Sequence, residues 1–461
     1  MNTLNSIQKP EELFTLLCEA SANKQWDTAR DIAEEITNIG AQGTWLDLAY
    51  DLADGLKTIY KASDHIFSVE NPLSEEHTQL IIESQHWVSN TLNLPAPTLI
   101  IEVTADDVPT HAITGFNNFG FIAINSESIK NKSLLVHEIT HCSLMSRALF
   151  LDEGLATLLE YKYKQTAIHI DETDWNRPSL AAIIESDWSY DPYFSHIAPV
   201  ETNFAEPIEG DHKAHKLAAF LVTKFIQNKG MEYVVTNWKK LKPSFKDGRT
   251  YEVIKNMFAV DLWELDATLY HFSETKYSSK TAIELLDMAK RALALGDKSI
   301  ITPHLEELRL RAFQNLTSLN ALVRALILFG INGNDDAKNK FYRTEALAAI
   351  NWAKTRGCDE QDLRFFEVYT YVFKLRNAAH AINMRKIGTQ TSLAFEKLLK
   401  DYPNEPEVLI TSARAQIKTY YDMLPLDSWR EKLTKISTHN LYGSAAEQLL
   451  NEDRFLLQKT N

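Results

Sequence analysis

Three residues in the run LLVHEITH (residues 134–141), His137, Glu138 and His141, have types and a spacing that suit metal chemistry. On a helix, residues four apart lie about 40° apart around the axis, so the two imidazoles share a face. Two imidazole nitrogens one turn apart can bind the same tetrahedral ion. Glu138, beside the first histidine, can point at a water on that ion and accept its proton. Chance explains the pattern badly, because a chain of this composition holds only about 0.05 such matches at random. The apolar residues at 134–136 predict a buried helix, and burying two imidazoles and a carboxylate without partners is costly. A bound ion removes that cost. Cys142, next to His141, reads as packing, since adjacent helix positions point about 100° apart.

Those side chains act only if flanking elements hold them. Residues 132–146 and 152–164 read as short helices with strong apolar patterning, preceded by strand-forming runs at 98–104, 111–114 and 119–125. Residues 1–62 read as helix, and residues 212–228, 231–241, 251–257 and 262–272 as further helical runs. Residues 166–210 show no clear period, and the polar stretch 273–280 reads as a linker. Beyond it the chain is almost wholly amphipathic helix. The segments AIELLDMAKRAL (282–293) and AFEKLLKDYPNEPEVL (394–409) resemble pieces of tetratricopeptide-type helix pairs, without a strict register of about 34 residues. Three regions are expected: an N-terminal helical segment at 1–63, a region holding the metal motif at 64–272, and a repeat-like helical domain at 281–461.

Composition narrows the partners. The 461 residues carry 48 Lys and Arg against 62 Asp and Glu, a net charge of −14 that disfavours nucleic acid, whose phosphates want clustered cations. No apolar run approaches the ~18–20 residues of a membrane helix, so no membrane partner is expected. The first residues lack a basic stretch followed by an apolar core, and no secretory leader is expected from them. Cys18, Cys142 and Cys358 are odd in number and widely spaced, which fits a reducing compartment and a cytoplasmic location.

The segment LDEGLATLLEY (151–161) closely resembles the W-L-N-E-G-x-A-x-x-x-E segment of gluzincin metallopeptidases, zinc enzymes whose site begins with HExxH. The resemblance implies that Glu153 is the third zinc ligand and that Glu160, two turns on, supports a ligating histidine. Loop length leaves an alternative. Only eleven residues separate His141 from Glu153, and the usual gap of the aminopeptidase-N-like branch lands on Glu160. GFNNFGFI (115–122) resembles that branch's G-x-M-E-N-x-G edge strand, implying substrate contacts at Asn117, Asn118 and Gly120. Asn117 stands where those enzymes place an acidic residue for a free amine. HKLAAFLVTKF (215–225) resembles the helix carrying their transition-state tyrosine, which implies a donor at His215, with His212 as competitor. The resemblance covers roughly residues 95–272.

The expected fold is mainly α with a small β-sheet (α+β), a thermolysin-like zincin domain followed by a helical repeat-like domain. The expected activity is zinc-dependent hydrolysis of peptide bonds, with one zinc on His137, His141 and Glu153 and Glu138 as general base. Expected partners are a peptide or protein substrate, and a protein on the C-terminal helices. Two alternatives stand beside it: an HExxH metalloenzyme that modifies peptides without cutting them, and an inactive peptidase-like scaffold.

Overall fold

The apolar runs Thr98–Thr104 and Phe119–Asn125 become the centre of a sheet rather than an edge, because their residues are buried on both faces. A computed structural model describes residues 10–39, 44–105, 111–115, 118–146, 148–168, 179–181, 183–184, 213–241, 250–270, 279–294, 302–312, 315–332, 337–377, 381–419 and 426–451. Contacts divide the chain into two units. The first comprises Met1–Asp171, Tyr190–Lys242 and Met257–Val260, and the second comprises Glu172–Ser189, Pro243–Asn256 and Asp261–Asn461.

The first unit holds the sheet. Its strands are β1 (Ile59–Lys61), β2 (Ile66–Val69), β3 (Thr98–Thr104), β4 (His111–Gly115) and β5 (Phe119–Asn125), in spatial order β1-β2-β3-β5-β4. β2, β3 and β5 run parallel, and β1 and β4 are antiparallel on the two edges. Parallel neighbours need a crossover, which α4 (Glu75–Leu92) supplies between β2 and β3. Residues 1–62 are therefore not all helix: α3 (Thr44–Gly55) stops at Gly55, and β1 follows. β2 escapes a search for alternation because all four of its residues are buried, as inner parallel strands are.

Successive strand residues point to opposite faces, and β5 shows what covers each face. Phe119, Phe121 and Ala123 join Phe67 and Ile100 in a core with α1 (Pro10–Ala22), α2 (Trp26–Ile39) and α3. Leu13 and Leu17 of α1, and Ala29, Ala33 and Ile36 of α2, recur at helical spacing and are fully or almost fully buried. Each large side chain so buried stabilises the unit by roughly 1.5–3 kcal/mol. The intervening residue Gly120 faces α5 (Lys132–Ser143), which packs on β4 and β5. A Cβ at Gly120 would lie 2.0 Å from Sγ of Cys142, so only glycine lets this helix settle on the strand. The residue lies on an inner strand, paired on both sides, and its bareness serves packing.

The unit continues with α6 (Leu149–Lys164), α7 (Lys213–Lys229) and α8 (Met231–Trp238). After α9 (Thr250–Phe258), the second unit contains α10 (Leu262–Tyr270), α11 (Ala282–Ala294), α12 (Thr302–Ala312), α13 (Leu316–Asn332), α14 (Ala337–Thr355), α15 (Glu360–Asn377), α16 (Ala381–Asp401), α17 (Pro406–Thr419), α18 (Leu426–Ile436) and α19 (Gly443–Leu450). From α11 onward consecutive helices pack as neighbours, and Trp263 stacks on Trp352 with ring centroids 4.4 Å apart. Polar ties cross this core as well. Arg309 forms a bidentate pair with Glu345, and Arg324 bridges Asp362 and Glu407. The protein is mainly helical with a small sheet. Among the described residues, no helix is long and apolar enough to cross a membrane.

The contact under α5 is open to test. Gly120→Ala is expected to lower stability by roughly 1–3 kcal/mol, the usual cost of overfilling a packed core. Cys142→Ala in the same chain is expected to recover part of the loss, because it removes the sulfur nearest the new methyl. Urea unfolding of the chelated proteins measures both, and equal stability of Gly120→Ala and wild type would show that the strand and helix can separate freely.

Candidate metal centre

α5 forms where the sequence predicts it. Asn131 caps its start by accepting from Leu134 N–H, while Leu135, Val136 and Ile139 are fully buried. Thr140 and Ser143 donate to the carbonyls of Val136 and Ile139 in the preceding turn, so these buried hydroxyls are satisfied within the helix. That leaves His137, Glu138 and His141 as its chemically unspent groups.

α6 brings the third donor. Nε2 of His137 lies 3.2 Å from Nε2 of His141 and 3.2 Å from Oε2 of Glu153, and Nε2 of His141 lies 3.4 Å from Oε1 of Glu153. One ligand atom from each residue falls within 4.8 Å of the others, so the three could hold a metal ion. The edges can be compared with coordination chemistry. For zinc–ligand bonds of about 2.0–2.1 Å, a tetrahedron has edges of about 3.3 Å. The two imidazole nitrogens meet this separation, and the carboxylate reaches them with different oxygens, Oε2 toward His137 and Oε1 toward His141, so the donor set is compatible with zinc.

Glu160 takes a different seat. Its Oε2 lies 3.3 Å from Nδ1 of His137, on the far side of the ring from Glu153, and its Oε1 accepts from Lys164 at 2.6 Å. The two carboxylates thus divide the two nitrogens of one imidazole between them. The geometry groups Glu153, rather than Glu160, with the histidine Nε2 atoms. A carboxylate on Nδ1 fixes the tautomer and turns Nε2 toward a metal.

His215 of α7 completes the approach. Its Nε2 is 3.7 Å from Oε2 of Glu153, and its ring is 6.3 Å from that of His137. The cause of this closeness lies one residue beyond Glu153. A Cβ at Gly154 would sit 2.6 Å from the backbone of Ala218, so α6 and α7 cross nearly in backbone contact. His215 is three residues before Ala218, on the same side of α7.

The charges are arranged for a cation. Burial alone would lower the pKa of His137, but its bond to Glu153 and the Glu160 carboxylate beside Nδ1 outweigh that and push it up to about 10. Burial acts the same way on His141 and is outweighed by Glu153. Burial would raise Glu153, yet the charge of His141 and the bond to His137 hold it well below the usual carboxylate range. Cys142 is pushed up by burial, with Glu138 adding to the effect, so it remains a thiol and packs against Gly120.

Of the other expected residues, Asn118 adopts φ +60°, and its carbonyl accepts from Thr98 N–H at 2.7 Å, tying the start of β5 to β3. Asn117 and His212 lie outside the described residues. Sequence reasoning missed Asp152, which is buried beside Glu153 and bonded to Ser146 and Trp238. An acid directly before a ligand was the available signal, but its partner Trp238 stands 86 residues away. The chain matches no protein-family model, no curated protein and no solved structure.

The division of roles between the two glutamates predicts an order of effects. Glu153→Gln is expected to weaken zinc binding most. Glu160→Gln should cost less, within the ~10–100-fold typical of groups that orient a ligand. Competition with a chromophoric chelator measures both constants, and the opposite order would transfer the ligand role to Glu160.

Proposed function

We propose that the first unit is a zinc-dependent peptidase domain of thermolysin-like build, acting on a peptide or protein substrate. The observation that carries this reading is the donor group of His137, His141 and Glu153, whose ligand atoms lie close enough together to hold one metal ion. A zinc ion held there supplies a Lewis acid that polarises a carbonyl and makes a water more acidic.

The chain's own groups supply the rest. Glu138, buried on α5 next to His137, is the residue to accept a proton from the attacking water and pass it to the leaving amine. His215 approaches from α7 and is the donor for the carbonyl oxygen as that atom gains charge, a role typically worth ~2.7–4 kcal/mol. Glu160 keeps His137 in the tautomer that leaves Nε2 available. β4 is an antiparallel edge strand whose main chain can pair with an extended substrate. The mixed sheet followed by the histidine helix supports the thermolysin-like reading. Helix neighbours such as α13 with α14 and α15 with α16 support a tetratricopeptide-like reading of the second unit, and with it a protein-binding role. Three cysteines without a disulfide fit a reducing, cytoplasmic setting.

Two outcomes test this. Glu138→Gln is expected to retain zinc and fold while kcat on a peptide library falls about 10²–10⁴-fold, the range for loss of a general base. Near-normal cleavage by the zinc-loaded variant would sink the assignment.

Substrate choice follows from Asn117, which offers a hydrogen bond where a carboxylate would offer charge pairing of about twice the strength. Acetylating a peptide's N-terminus should therefore change its cleavage rate little. A rate that collapses on acetylation would restore an aminopeptidase reading.

A further inference from the structure

One buried carboxylate ties together the elements that carry the donors. Asp152 is 2% exposed and immediately precedes Glu153 in the first turn of α6. Its Oδ1 accepts from Ser146 N–H at 2.9 Å and from the indole Nε1–H of Trp238 at 2.7 Å, while Oδ2 is buried with no hydrogen-bond partner. Ser146 belongs to the short connection that leaves α5, and its hydroxyl accepts from the N–H of Ala148, at the threshold of α6. Trp238, fully buried, ends α8. Asp152 thus joins the exit of one ligand helix, the entry of the other and a third helix behind them.

The choice of residue is physically expensive. Burying a carboxylate costs more than burying an apolar side chain of similar size. The start of α6 also lacks an ordinary cap, because Ala148 has no side-chain acceptor for the first amides. An anionic acceptor forms hydrogen bonds roughly twice as strong as a neutral one. Placed one residue before a ligand, those bonds restrain the pitch and rotation of the turn that presents it. The donor group leaves little tolerance, since its Nε2–Nε2 and nitrogen–carboxylate distances all lie between 3.2 and 3.4 Å.

We propose that Asp152 is a positioning residue for the metal centre, holding the Glu153 carboxylate against the Nε2 atoms of His137 and His141 through its ties to Ser146 and Trp238. The inference rests on the metal-site reading above. It is tested by zinc competition against a chromophoric chelator on the full chain, with circular dichroism to verify folding. The proteins compared are wild type, Asp152→Ala, Asp152→Asn and Trp238→Phe. Asp152→Ala is expected to weaken zinc binding about 10–100-fold, as for other groups that orient ligands. Trp238→Phe keeps a ring in place but deletes one bond, and should shift affinity in the same direction by less. Asp152→Asn retains an acceptor oxygen for both N–H groups and is expected to stay within a few fold of wild type. Wild-type affinity in folded Asp152→Ala and Trp238→Phe, with only the melting temperature lowered, overturns the positioning role. Equal losses in the Asn and Ala variants overturn it too, because an acceptor oxygen facing Ser146 and Trp238 would then restore nothing. If Asp152→Ala does not fold, Trp238→Phe alone decides. Failure of the wild type to bind zinc defeats the metal-site reading itself.

Discussion

Two histidines on one helix and a glutamate on another must bring one ligand atom each within 4.8 Å of the others. Much of the first unit follows from that requirement. Neither helix can achieve the geometry alone, since α5 supplies only the imidazole pair and α6 only carboxylates. Their relative placement must therefore be imposed from outside the site. The sheet holds α5 from below, through the contact that Gly120 makes possible. α7 presses on α6 through the crossing at Gly154 and Ala218. Both contacts depend on a missing side chain next to the chemistry: Gly120 lies under the residue after His141, and Gly154 follows Glu153.

The N-terminal helices enter this scheme indirectly. A mixed sheet that carries α5 on one face exposes a second apolar face, and Leu13, Phe14, Leu17 and Ile36 cover it. Without that cover, Phe119 and Phe121 of β5 would meet water, and the strand that seats α5 would lose its anchorage. The burial also sets the electrostatics. In a wet site the two imidazoles would be ordinary bases. Here they are buried beside Glu153 and Glu160, and the carboxylates outweigh burial and favour positive charge on the pair.

Local periodicity made part of this legible in the sequence. His137 and His141 declare their shared face by a spacing of four, and residues 134–136 declare that the face is buried. Glu153 and Glu160, two turns apart, follow the same rule, although spacing alone does not say which nitrogen each one meets. Legibility ended where partners are distant or signals short. The four residues of β2 are buried throughout and show no alternation, and Trp238 reaches Asp152 across 86 residues with nothing local to announce it. Gly120 was visible as a glycine within a strand, which signals a close approach. The approaching body proved to be the protein's own helix. In the second unit the amphipathic helices were plain, but pairs such as Lys290 with Glu407, separated by 117 positions, have no trace in a local pattern.

The outer side of β4 has a consequence for handling the protein at high concentration. Among the described residues no strand pairs with that side, and the sequence HAITG at 111–115 carries neither lysine nor proline to blunt it. An unguarded ladder of this kind is a template for strand addition by any extended chain, including another molecule of the same sequence. Self-association through β4 would leave the core intact and use only main-chain hydrogen bonds, so it would depend on concentration far more than on salt.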